Sequence, residues 1–152
     1  ILMIAGSTKV ENLGTGKLNS MLFYTDLCHL RTFNHQITGA RYLKSVYGPL
    51  VNNLRSLLSQ MALEGLITLE TKYLDEGHRY KMTCVKAIAT AKTEVFSENE
   101  RDSINTVINR MGVWTSREIA EVSKNERIVT QARKFGFLNF EDVGQFKIKA
   151  FA

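Results

Sequence analysis

Leu18, Met21, Leu22, Thr25 and Cys28 recur at intervals of three and four, the spacing that gathers side chains on one face of an α-helix, and they predict a helix from Lys17 to about Leu30. Ahead of it, residues 1–5 are apolar and read as the end of a helix, and residues 7–16, with Gly14 and Gly16 near their end, read as a connector. Residues 32–39 form a polar loop. A second stripe, Leu50, Leu54, Leu57, Leu58 and Met61, follows Gly48-Pro49. That dipeptide is a helix-start signal, because proline has no N–H to lose in a first turn, and Gly65 closes the element. From Ile67 the pattern changes to alternation. Ile67, Leu69, Thr71 and Tyr73 alternate with Thr68, Glu70 and Lys72; residues 75–77 turn the chain; His78, Tyr80 and Met82 alternate with Arg79 and Lys81. This is the signature of a β-hairpin with one buried face.

The last third returns to helical spacing. Ser97 and Glu100 form a capping box in front of the stripe Ile104, Val107, Ile108 and Met111. Thr115 and Glu118 form a second box that opens a short helix through Ile119 and Val122. Ile128, Val129, Ala132 and Phe135 predict a third helix stopping at Gly136, and the aromatic tail (Phe137, Phe140, Phe146, Phe151) is expected to pack back on the core. The sum is an α+β fold, a mainly helical single domain over residues 1–152 with a small antiparallel β-hairpin.

Composition narrows the class without choosing a function. An apolar share of 44% and a charged share of 23% in 152 residues suit a globular chain that builds one main core without staples. The net charge of +5 permits an acidic partner or nucleic acid, but the cations are scattered (Lys72, Arg79, Lys81, Arg127, Arg133, Lys134) and read as a solvated surface. Cys28 and Cys84 form no CxxC and are expected to be small buried residues in a reducing, cytoplasmic compartment. No apolar run is long enough to span a membrane. The chain starts at Ile1 rather than Met, which leaves room for a further domain upstream.

Candidate chemistry is sparse. Gly14-Thr-Gly-Lys17 invites a phosphate-loop reading, but Glu11 stands where the first glycine should be and Leu18 replaces the magnesium-binding hydroxyl. Cys28 and His29 with His35, or His78 with Cys84, are imaginable metal ligands, yet they lack the paired spacing of structural zinc sites and are read as structural or solvated. A Cys–His catalytic pair has only residue type behind it. The expectation is therefore no enzyme, no metal and no cofactor. The segment from Leu50 to Met82, a helix followed by two strands and a charged turn, has the layout of a winged helix, with Arg55, Gln60, Arg79 and Lys81 as possible nucleic-acid contacts. Glu64, Glu70, Asp75 and Glu76 would oppose a phosphate backbone there.

Three blocks in fixed order carry more. Lys17, Leu18, Ser20, Met21, Leu22, Tyr24 and Asp26 match a helix of the type Lys-Leu-x-Lys-Leu-Leu-Tyr-x-x-Asp; Ile37, Thr38, Gly39 and Tyr42 match an Ile-Thr-Gly segment before an aromatic; Tyr47, Gly48, Pro49 and Val51 match a Gly-Pro-Val-type start. In this order the chain resembles the Panacea domain family, the SocA-like antitoxin domain, from about Lys17 to Phe146. Two departures stand out: Ser20 at a usually basic or polar position, and Ser123-Lys-Asn-Glu126 where many members have Ser-His-x-Glu, so that Lys124 replaces the histidine. The resemblance implies an antitoxin that holds a cognate protein toxin inactive by direct contact, or delivers it to a protease as an adaptor; operator DNA would be reached through an upstream domain. It assigns toxin binding to Lys17, Tyr24, Asp26, Thr38, Gly39, Tyr42, Tyr47, Gly48, Pro49 and Glu126. The alternative reading is a winged-helix DNA-binding regulator.

Overall fold

The computed structural model describes residues 1–141, 143–145 and 147–151. Its organising element is a long helix, α2 (Thr15–Phe33), preceded by a short α1 (Leu2–Ala5). Residues on every side of α2 are buried, among them Leu18, Met21, Phe23, Tyr24 and Asp26, so it runs through the core rather than over it. Asn34, in left-handed conformation (φ 62°), caps its end through a bond from its N–H to the Leu30 carbonyl. The chain then forms β1 (Tyr42–Ser45), β2 (Gly48–Val51), α3 (Leu54–Leu63), β3 (Ile67–Tyr73), β4 (Lys81–Ala87), α4 (Glu98–Met111), α5 (Ser116–Lys124) and α6 (Arg127–Gln131). The fold is α+β and mainly helical, with two antiparallel two-stranded sheets.

Helices α4 and α5 pack on α2, and both start at the boxes read from the sequence. Ser97 Oγ accepts from Glu100 N while Glu100 Oε2 accepts from Ser97 N, and Thr115 and Glu118 repeat the exchange. Each box satisfies two of the donors that a helix N-terminus leaves open. Val107, Met111 and Ile119 are fully buried where these helices meet α2.

The second stripe needs correction. Gly48-Pro49 does not open a helix: residues 48–51 are strand β2, paired with β1 in the register Tyr42 to Val51 and Ser45 to Gly48. Gly48 has φ +110°, outside the helical range, and proline is tolerated in so short an edge strand. Leu50 belongs to that strand, and α3 begins only at Leu54, after Asn53 in left-handed conformation.

The hairpin β3–β4 is present but displaced. Its second strand runs to Ala87, and His78 lies in the connecting turn with φ +53°. Only its base is buried, at Ile67, Cys84 and Val85; Tyr73 and Tyr80 stand in solvent. The third late helix stops at Gln131. Phe135 adopts φ +58°, and residues 135–138 lie along β1, with Phe135 N donating to Lys44 O, Lys44 N to Gly136 O and Leu138 N to Tyr42 O. Of the aromatic tail, Phe140 packs edge-on to Phe23 and Phe151 packs against Tyr24, Phe137 is partly exposed, and Phe146 lies outside the described residues.

Candidate functional site

The residues that carry the family resemblance come together, and most of them do so inside the protein. Lys17 is buried, and its Nζ donates to the carbonyls of Glu11 and Gly112, both at 2.6 Å. It therefore closes the connector onto the end of α4, and a phosphate-loop role has no free ammonium to use. Burial holds the Lys17 ammonium below its usual pKa, against the pull of Glu11 and Glu118.

Asp26 is fully buried and gathers five donor groups. Its Oδ1 accepts from the backbone N–H of Ile37 (2.9 Å) and Thr38 (2.8 Å); its Oδ2 accepts from Tyr42 Oη (2.6 Å), Gln36 Nε2 (3.4 Å) and the Thr38 hydroxyl. One carboxylate thus fixes the loop between α2 and β1 and orients the buried Tyr42 ring. Tyr24, two residues earlier, donates to Glu126 Oε1 at 3.0 Å. The second and third carriers of Glu126's charge are the backbone N–H groups of Lys149 and Ala150, each at 3.1 Å. The phenols of Tyr24 and Tyr42 are pushed far above their ordinary range, first by burial and then by the adjacent carboxylates.

Gly48 belongs to the same arrangement. A Cβ built on it would lie 2.6 Å from Ser123 Oγ, so the absence of a side chain is what lets β2 touch α5. Pro49 beside it is buried. Lys124, in the place of the family's histidine, is half-buried and pairs with Glu121 at 3.1 Å. Among the described residues, every buried polar side-chain atom has a hydrogen-bond partner. The internal network is therefore a finished piece of architecture.

Three of the assigned positions are exposed: Thr38, whose hydroxyl still reaches Asp26, Gly39 and Tyr47, the last 76% exposed. Tyr47 and Val46 form the tip of the β1–β2 turn. On the segment lying along β1, Phe135 is 65% exposed and Phe137 is 44% exposed, with the Arg41 guanidinium 3.6 Å above the Phe137 ring centre. Sequence reasoning missed Val46, Phe135 and Phe137 as surface residues because helical periodicity placed Phe135 on an apolar face.

The order of α3, β3 and β4 follows the helix-and-hairpin layout read from the sequence, and three of its polar side chains have local partners. Arg79 pairs with Asp75 (3.4 Å), Lys86 with Glu70 (2.8 Å), and the Gln60 amide donates to Glu64 (2.9 Å). An open apolar cleft of about 690 Å³ lies elsewhere, between α1, α3 and residues 89–96, with Thr38 on its edge. Cys28 is half-buried, and its thiol is pushed up to about 12 by burial and by Glu126, which favours the thiol over the thiolate. No helix among the described residues is long and apolar enough to cross a membrane.

No curated protein and no solved structure matches the chain. The model of one family, described as antitoxin SocA-like, Panacea domain, matches residues 18–128, a span that holds the Asp26 hub, the Tyr24–Glu126 pair and the Gly48–Ser123 contact, and the chain belongs to that family.

Proposed function

We propose that this chain is the antitoxin of a toxin–antitoxin pair and that it acts by binding a protein toxin directly, in stoichiometric amounts and without turnover. The family match over residues 18–128 carries this reading. The internal networks then divide the motif residues into two groups. Lys17, Tyr24, Asp26, Tyr42, Gly48, Pro49 and Glu126 build the fold and act on a partner only through it. The contact surface is the outward face of β1 and its neighbour: Tyr47 and Val46 at the turn, with Phe135 and Phe137 beside them. Exposed aromatic rings of this kind desolvate a large area at low entropic cost and are the residues most enriched in binding hot spots. Phe135 adds a second argument, since a bulky side chain in the left-handed region is held there at a cost in strain, and such strain concentrates at functional positions.

The test is co-expression of the chain with the product of the neighbouring gene, read by co-purification and by rescue of growth. Rescue with a stoichiometric complex is the expected result. A neighbour that is harmless alone and does not co-purify would remove the reading. Loss of the toxin, rather than a stable complex, on co-expression in protease-proficient cells would assign the chain the adaptor form of the same role.

A further inference from the structure

His29 ends the buried run of α2, and His35 lies two residues beyond the end of that helix, just after the left-handed Asn34. Their Nε2 atoms face each other at 3.1 Å, with the rings nearly perpendicular at 86°. Each outer ring nitrogen has a possible acceptor beside it. Ser103 Oγ, within 3.0 Å of the Asn99 carbonyl that can take its proton, lies 2.9 Å from His29 Nδ1 and can accept an N–H from it. His35 Nδ1 lies 3.0 Å from the Phe33 carbonyl, which only accepts, so that nitrogen carries a proton too. A neutral imidazole has one N–H. With both ring protons at Nδ1, the two Nε2 atoms carry lone pairs directed at the same space, which a shared cation can take up.

A metal ion can fill that role. Glu100 on α4 supplies the third donor: one of its carboxylate oxygens and one nitrogen of each imidazole all lie within 4.8 Å of one another. Its Oε2 is fixed by the Ser97 N–H of the capping box. Two nitrogens bound to one tetrahedral zinc ion at its usual bond length stand about 3.3 Å apart, close to the separation present here. The Ser103 and Phe33 contacts are the outer partners that orient metal-binding histidines and raise their basicity.

We propose that His29, His35 and Glu100 form a binding site for a divalent first-row transition-metal ion, with zinc the best match to two imidazoles and a carboxylate and water completing the coordination. His35 is exposed, which gives the ion a path in. Bound metal would join the end of α2, the following loop and the first turn of α4. That loop carries the Ile37 and Thr38 N–H groups held by Asp26, so the ion would stiffen the edge of the motif network.

The experiment is a titration of the untagged, chelator-treated full chain with Co2+, followed by displacement with Zn2+. One equivalent with the visible absorption of four-coordinate cobalt, removed by zinc, and a zinc-dependent rise in Tm are expected. Because His29 is buried, the exposed His35 carries the test: His35→Ala should fold, lose the cobalt spectrum and the Tm rise, and bind at least tenfold more weakly. Ser103→Ala should weaken binding 10–100-fold through the outer contact, and His78→Ala should leave it unchanged. No saturable binding at one equivalent, or binding by His35→Ala equal to that of the parent chain, would overturn the proposal.

Discussion

Tyr24 Oη and Glu126 Oε1, 102 positions apart in the chain, meet at 3.0 Å in the interior. Glu126 spends its remaining acceptor capacity on the N–H groups of Lys149 and Ala150, so one carboxylate joins α2, the start of α6 and the C-terminal segment. Tyr24→Phe removes one donor to a charged acceptor and is expected to cost about 1–3 kcal/mol. Glu126→Ala strands a buried phenol and two backbone donors, and about 3–5 kcal/mol is expected. Urea melts give the two values. Hydrogen exchange locates the second: the Lys149 and Ala150 amides should lose protection in Glu126→Ala and keep it in Tyr24→Phe. Equal costs for the two variants would show that the carboxylate's backbone bonds contribute nothing.

Gly48 makes a separable demand, because its backbone is at φ +110° and its missing Cβ leaves room for Ser123 Oγ. Gly48→Ala therefore meets both a conformational penalty and a clash, together about 2–4 kcal/mol. Adding Ser123→Ala removes the clashing oxygen, since the Ser123 Cβ would lie at 3.9 Å from the new methyl. The double variant should then be less destabilised than the sum of the two single ones. Strict additivity would mean that backbone conformation alone requires glycine at this position.

The pKa shifts define an alkaline limit. Cys28, raised to about 12, and the phenols of Tyr24 and Tyr42, raised further, bind protons more tightly in the folded chain than in the unfolded one. Their contribution is complete below the unfolded values, about 8.5 for a thiol and 10 for a phenol, and is lost as pH rises beyond them. Stability by urea should thus be level between pH 7 and 8 and fall above pH 9. In the native protein, alkylation of Cys28 should keep accelerating with pH up to the unfolding limit, with no plateau near 8.5. An early plateau would show that the thiol is not perturbed.

The helices α2, α4 and α5 were legible because periodicity and capping boxes are local signals and the packing here follows them. The blocks around Asp26, Thr38 and Tyr42 were legible as a resemblance, but their burial was not: a carboxylate, a lysine and two tyrosines read as surface chemistry until long-range donors are known. Strand β1 was missed because four residues hold too little alternation, and β2 was mistaken for a helix start because Gly-Pro serves both turn and strand edge. Phe135 kept helical spacing while Lys44, far away in sequence, drew its backbone into extended pairing. Glu100 was read only as half of a capping box; nothing near it in sequence points to His29 and His35.

The proposed contact surface and the internal network make opposite predictions for the same family motif. Tyr47→Ala combined with Phe137→Ala removes two exposed rings that bear on no buried residue's hydrogen bonds, so the fold should persist with a stability change within about 1 kcal/mol. Affinity for the toxin should fall by about 2 kcal/mol or more, roughly thirtyfold, if these rings are hot spots. Asp26→Ala leaves five donor groups without their acceptor and should reduce soluble, folded protein before any effect on binding is measurable. Circular dichroism, melting and titration calorimetry on both variants separate the cases. A folded Tyr47/Phe137 variant with full affinity would move the contact away from β1, and the apolar cleft beside Thr38 would be the next surface to alter.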